Sequence, residues 1–230
     1  MSSPLRPAIL VVGDGDVPAR AEVDRAWPGW AAGVGWVIGA DGGAARAEQL
    51  GWPPDLVVGD LDSLPPAAAR RLADRRVPIE RWPVRKDQSD LELALRAALR
   101  HDATARVVVL GALGGPRLDH ALAAVWLLAL PVARGREIVL LDATTRVRLL
   151  RGPGRLEAVG RRDDLVTLLP FGGPARGIRT EGLAYPLAAE TLAVGPSRGL
   201  SNARLAQRAV VTVQQGRLLV VESHPMEDPS

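Results

Sequence analysis

Through residues 8–142, short aliphatic, β-branched runs alternate with longer alanine-rich amphipathic stretches, and this alternation constrains the fold more than any other feature. The runs AILVV, WVIGA, LVVGD, RVVVLGA and EIVLLDA read as buried strands. The stretches between them predict helices near Pro18–Trp27, Gly43–Leu50, Pro65–Arg75, Ser89–His101 and Leu118–Leu130. Strand, helix, strand in regular succession makes βαβ units on a parallel sheet. From about Thr145 the period changes. Glycine and proline turns recur roughly every 8 to 12 residues around short runs such as VTLLP, AVVTV and RLLVV, as in an all-β sandwich or barrel. The expected organisation is an α/β domain over residues 1–142 followed by a β-sandwich domain over residues 143–230.

Composition narrows the chemistry. With no cysteine there is no disulfide, no thiolate nucleophile and no zinc site built on sulfur. The three histidines, His101, His120 and His224, are scattered, so any metal should be a hard cation held by oxygen. Of 29 basic residues one is a lysine, Lys86, and the rest are arginine, which explains a pI near 10.4 on a net charge of only +3. Up to Asp142 there are 17 basic and 18 acidic residues, and after it 12 and 8, so neither half carries the field expected of a nucleic-acid binder. The apolar run Ala121–Ala133 falls short of the about 20 residues needed to span a membrane, and Pro131 interrupts it. The apolar stretch Ala8–Val12 ends at once in Gly13-Asp14-Gly15-Asp16, unlike a signal peptide. A cytoplasmic protein is expected.

Six aspartates fall at strand-to-helix switches. Asp41 ends WVIGAD, Asp60 ends LVVGD, Asp62 follows two residues later, Asp87 and Asp90 flank a helix start, and Asp119 follows GALGGPR. In open parallel sheets ligands bind beyond the carboxyl ends of the strands, so these side chains should converge on one site. Capping offers a competing account of single members: Asp87, three residues before Asp90, fits a capping box, and Asp41 fits a turn. Recurrence at one end of a sheet is what capping does not require. Clustered carboxylates need compensation, since two unit charges 4 Å apart repel by about 4 kcal/mol at an effective dielectric of 20. Mg²⁺ with phosphate oxygens would supply it. Gly42, Gly43, Gly111, Gly114 and Gly115 would let phosphate approach the backbone, with Lys86 and Arg117 balancing its charge. The chain has no P-loop, no protein-kinase motif set and no Gly-x-Ser-x-Gly elbow.

The ordered series ADGGAARAEQLG, PDLVVGDLDSL, RKDQSDLELAL and GALGGPRLDH resembles the thiamine pyrophosphokinase family, as do GIRTEGLAYPL and GLSNARLAQRAVVTVQQGRLLVV in the second half. The resemblance runs from Ile9 to about Val221. It implies a homodimer of an N-terminal nucleotide-binding parallel-sheet domain and a C-terminal thiamine-binding β-sandwich. The implied reaction transfers a pyrophosphoryl group from ATP to thiamine with Mg²⁺, giving AMP and thiamine diphosphate. Asp41, Asp60 and Asp62 would serve the metal, while Asp41, Gly42, Gly43, Ser89, Gly114 and Gly115 would meet ATP. Lys86, Asp87, Asp90, Arg117 and Asp119 would form the catalytic set, and Asp90, Ser201 and Asn202 would meet thiamine, the last two across a dimer interface.

This chain departs from the pattern at several places. Pro116 is inserted before Arg117, Ala45 and Ala203 stand where relatives often carry asparagine and glutamate, and Ser89 replaces threonine. No aromatic residue follows Tyr185 to stack on thiamine. Rival readings are a pyrophosphokinase for a pterin alcohol, a glycosyltransferase using Asp60-x-Asp62, and a non-catalytic sensor.

Overall fold

The computed structural model describes residues 6–224. The chain divides into two compact units after Ala143. In the first, six strands form a wholly parallel sheet: β1 (Ala8–Val12), β2 (Val34–Ala40), β3 (Leu56–Gly59), β4 (Ile79–Arg81), β5 (Arg106–Leu110) and β6 (Ile138–Leu141). Their order is β6-β5-β1-β2-β3-β4. The chain therefore steps outward from β1 to β4, then crosses back to start again at β5 on the other side of β1. Between β1 and β5 lies the switch point at which open α/β sheets form a crevice.

The crossovers carry α1 (Arg20–Ala26), α2 (Gly43–Gln49), α3 (Pro66–Asp74), α4 (Asp90–His101) and α5 (Leu118–Leu127). Every residue of β1 is buried, as expected of a central strand covered on both faces. One core sets Leu10, Val12, Val108 and Leu110 against Val23, Trp27 and Trp30; another packs α3 through Ala68 and Leu72 onto Val57. Helix α4 starts one residue later than expected, because Ser89 is its cap: the Ser89 hydroxyl accepts the Glu92 backbone N–H at 3.2 Å. Ser89-x-x-Glu92, and not Asp87 with Asp90, is the capping pair, which leaves the Asp90 carboxylate free for other work. Helix α5 ends at Leu127, three residues early, and a 3₁₀ turn at Pro131–Ala133 follows, where proline cannot continue the helix.

The second unit is antiparallel throughout. Strands β7 (Thr145–Arg151), β9 (Leu165–Pro170), β12 (Asn202–Ala203) and β14 (Arg217–Ser223) pair in the order β12-β9-β14-β7. Strands β8 (Gly154–Val159), β10 (Ala175–Glu181), β11 (Ala188–Leu192) and β13 (Arg208–Val213) pair in the order β11-β10-β13-β8. Alternate residues of both layers meet in one core, with Val166, Leu168, Leu218 and Val220 from one and Ile178, Ala209, Val211 and Val213 from the other.

Within this unit one carboxylate is buried among guanidiniums. Glu222 on β14 is 1 % exposed and is bonded by Arg146 Nη2 at 2.6 Å, by Arg148 Nη2 at 2.6 Å and by the fully buried Arg204. Burial pushes Glu222 up, but Arg148, Arg146 and Arg204 outweigh it and hold the carboxyl below its ordinary range.

Candidate active site

Three of the six aspartates converge. One carboxylate oxygen from each of Asp41, Asp60 and Asp62 lies within 4.8 Å of the others. Asp41 follows β2 directly, and Asp60 and Asp62 sit in the turn after β3, so two neighbouring parallel strands deliver them to one end of the sheet. The turn is locked locally. The Asp62 N–H donates to Asp60 Oδ1 at 3.3 Å, the Ser63 N–H to Asp41 Oδ2 at 3.3 Å, and the Ser63 hydroxyl to Asp62 Oδ1 at 3.1 Å.

The fourth carboxylate, Asp90, arrives from the first turn of α4. Lys86 joins it to the group: Nζ lies 2.6 Å from Asp60 Oδ2 and 3.0 Å from Asp90 Oδ1. Gly59 makes room, at φ +146°, where a β-carbon would come within 2.9 Å of Asp90 Oδ1. The charges are unevenly balanced. The Lys86 hydrogen bond is the main reason Asp60 titrates low. Burial pulls Lys86 down, yet its bonds to Asp60 and Asp90 prevail and raise it. Asp41, 5 % exposed, is pushed up chiefly by burial, with Asp90 and Asp62 adding repulsion against the lowering Ser63 bonds. Its Oδ1 is buried and has no hydrogen-bond partner. A hard divalent cation fits this arrangement: three carboxylates converge and one of their oxygens is desolvated and unsatisfied.

These groups line a cleft of about 650 Å³. Its far wall is the switch-point loops, Gly13-Asp14-Gly15 after β1 and Gly111, Gly114, Gly115 and Pro116 after β5. Arg117 and Asp119 stand at its edge, both 64 % exposed and engaged with each other, Nε to Oδ1 at 2.9 Å and Nη2 to Oδ2 at 2.6 Å. That fork holds Asp119 down at about 2. Ser89, Gln88 and His120 also line the cleft.

Three expected positions of the first unit lie outside this lining. Asp87 is exposed and outside the cleft lining. Gly42 and Gly43 are buried and also outside it. A β-carbon on Gly43 would collide with the Val12 carbonyl, and one on Gly42 with the Asp14 carboxylate, so the double glycine serves to pack α2 onto β1. Lys86 lines the cleft and contacts two carboxylates there, Asp60 and Asp90. In the second unit, Ser201 is exposed, and its N–H donates to Thr167 Oγ1 at 2.9 Å. Asn202 is buried and its amide is spent on one residue: Oδ1 accepts the Tyr185 N–H at 2.9 Å, and Nδ2 donates to the Tyr185 carbonyl at 2.7 Å. Tyr185 itself is 74 % exposed.

Asp14 and Ser63 line the cleft and went unread in the sequence. For Asp14 the signal is present: Gly13 and Asp14 follow β1 directly, much as Asp60 follows Gly59 at the end of β3.

Comparison with known proteins follows the same division. Residues 31–140 match the family model described as the thiamin pyrophosphokinase catalytic domain, and residues 157–218 match the thiamin pyrophosphokinase vitamin B1 binding domain. A thiamine pyrophosphokinase of Bacillus subtilis is 27 % identical over 189 residues, covering 81 % of this chain and 86 % of that protein. The crystal structure of thiamine pyrophosphokinase from Bacillus subtilis superposes with a TM-score of 0.80 at 24 % identity, over 95 % of this chain and 100 % of the other. A thiamin pyrophosphokinase family protein from Enterococcus faecalis gives 0.78 at 25 % identity, over 95 % and 99 %. Both halves of the sequence match models of a single family, which together take in about three quarters of its length, and the chain belongs to the thiamin pyrophosphokinase family.

Proposed function

We propose that this protein transfers the pyrophosphoryl group of ATP to the hydroxyl of thiamine, releasing AMP and thiamine diphosphate. The observation that carries the reading is the convergence of Asp41, Asp60 and Asp62 on a glycine-walled cleft at the switch point of a parallel sheet, in a member of this family. Such a cleft suits a nucleotide, with its phosphates toward the carboxylates and the rest over the Gly13–Gly15 and Gly111–Gly115 loops. Mg²⁺ held by Asp41, Asp60 and Asp62 would supply positive charge against the phosphate oxygens.

The protein's own groups then position the reactants. The new bond joins the thiamine oxygen to the β-phosphorus, the α–β bridge breaks, and AMP leaves. Asp90 orients the hydroxyl and takes its proton, being freed from capping by Ser89. Arg117 gives its fork to phosphate on displacing Asp119. In the second unit Asn202 acts through Tyr185: its amide fixes the Tyr185 backbone, and the exposed ring offers a face to the thiazolium cation. The reading includes a homodimer in the cytoplasm. Exposed Leu118, Leu122 and Trp126, one turn apart along α5, suit burial against a second copy.

The test incubates purified protein with ATP, Mg²⁺ and thiamine, with and without EDTA, and separates the products. Thiamine diphosphate and AMP in equal amounts, abolished by EDTA, are expected. ADP with thiamine monophosphate, or turnover of a pterin alcohol in preference to thiamine, would overturn the reading.

A further inference from the structure

We infer that Lys86 is a positioning residue that sets the spacing between the cation-holding carboxylate Asp60 and the acceptor-facing carboxylate Asp90, and is not a phosphate ligand. The inference rests on the pyrophosphokinase reading for the roles of those two carboxylates. Its evidence is geometric. Asp60 comes from the turn after β3 and Asp90 from the first turn of α4, separate elements whose like charges would drive them apart. Lys86 Nζ reaches both, at 2.6 and 3.0 Å. The side chains of Lys86 and Asp60 are each 8 % exposed, so the ammonium is largely withdrawn from water, hydrogen-bonded to Asp60 and ion-paired with Asp90.

The residue type matters as well. A tetrahedral ammonium can bond two carboxylates from different directions at a single point, whereas a guanidinium presents a flat fork suited to one carboxylate or one phosphate. Lysine stands here in a chain whose other 28 cationic side chains are all arginine. Gly59 bears on the same spacing, since any β-carbon there would press on Asp90 Oδ1. The distance between cation and acceptor is thereby fixed by three residues, Gly59, Lys86 and Asp90, before either substrate arrives. In-line transfer depends on that distance more than on the strength of any one contact.

The experiment joins kinetics to spectroscopy. Lys86→Met and Lys86→Arg should both lose about 100-fold in kcat while KM for ATP stays within about threefold, because arginine restores charge but not the two-carboxylate geometry. Near wild-type kcat in Lys86→Arg, or a tenfold rise in KM for ATP with kcat little changed in Lys86→Met, would overturn the inference in favour of a phosphate contact. Lys86 being the sole lysine, ¹⁵N-lysine labelling gives one side-chain ammonium resonance, readable without any change at position 86. Slow exchange with water, and a shift in both Asp60→Asn and Asp90→Asn, are expected; a fast-exchanging signal that moves in neither sinks the proposal. Mn²⁺ binding by electron paramagnetic resonance separates the two levels of argument. Wild-type protein that binds no Mn²⁺ and makes no AMP refutes the pyrophosphokinase reading, while the ammonium signal still decides the placement of Lys86.

Discussion

Two buried carboxylates, Asp41 in the parallel-sheet unit and Glu222 in the sandwich, are bound in opposite ways. Glu222 has three guanidiniums to itself and titrates low. Asp41 has the Ser63 backbone N–H, repulsion from Asp62 and Asp90, one oxygen with no partner, and titrates high. A carboxylate saturated with partners has nothing left to offer a ligand. One left short of positive charge is a site prepared for something to arrive. The difference shows where this protein spends charge on stability and where it withholds it for chemistry.

The comparison can be broken most severely at the acidic cleft. Asp62→Asn, at an exposed position, should reduce kcat by about 10³-fold while the melting temperature changes little, a steady-state assay and a thermal melt serving as the pair of readouts. The reverse is expected in the sandwich. Glu222→Gln strands three arginines around a neutral amide and should cost about 3 kcal/mol, visible as an earlier denaturant midpoint, with Mn²⁺ binding by the cleft unaltered. Acid sharpens this second case. A carboxylate held below its unfolded value of about 4.5 contributes stability in full above that pH and loses it as pH falls through the folded value, so Glu222→Gln should flatten the acid limb of the stability curve. Gly59→Ala combines a positive φ, unfavourable to a side chain, with pressure on Asp90 and should cost about 2 kcal/mol in stability and a larger share of kcat than of KM. The smallest effect on stability carries the opposite sign. Asp41→Asn relieves an undercompensated charge and should stabilise the protein by about 1 kcal/mol at neutral pH without added metal, while abolishing turnover.

How much of this was legible in the sequence depended on range. The parallel-sheet strands other than the three-residue β4 announced themselves as aliphatic runs, and two of them pointed to Asp41 and Asp60 because a strand followed at once by an aspartate is a local pattern. Strands β4 and β12 are too short to form one, at three and two residues. The cap of α4 was ambiguous because Asp87 and Ser89 both stand where a capping residue can, and only the hydrogen bond to Glu92 decides between them. Of the two partners of Lys86, Asp90 stands four residues on, within reach of a helical spacing rule, whereas Asp60 is 26 residues away, beyond any. The amide pairing of Asn202 with Tyr185 spans 17 residues and was equally silent. The Glu222 cluster draws on Arg146, 76 residues off, and in sequence its members are isolated charges on strands.

Lys86 has one more consequence. Reagents and enzymes that acylate lysine meet a folded surface rich in guanidinium groups, with the chain's lone ε-amine pressed between two carboxylates. Lysine acylation thus has a single address on this protein, and it could be reached only by opening the very contact that spaces Asp60 from Asp90.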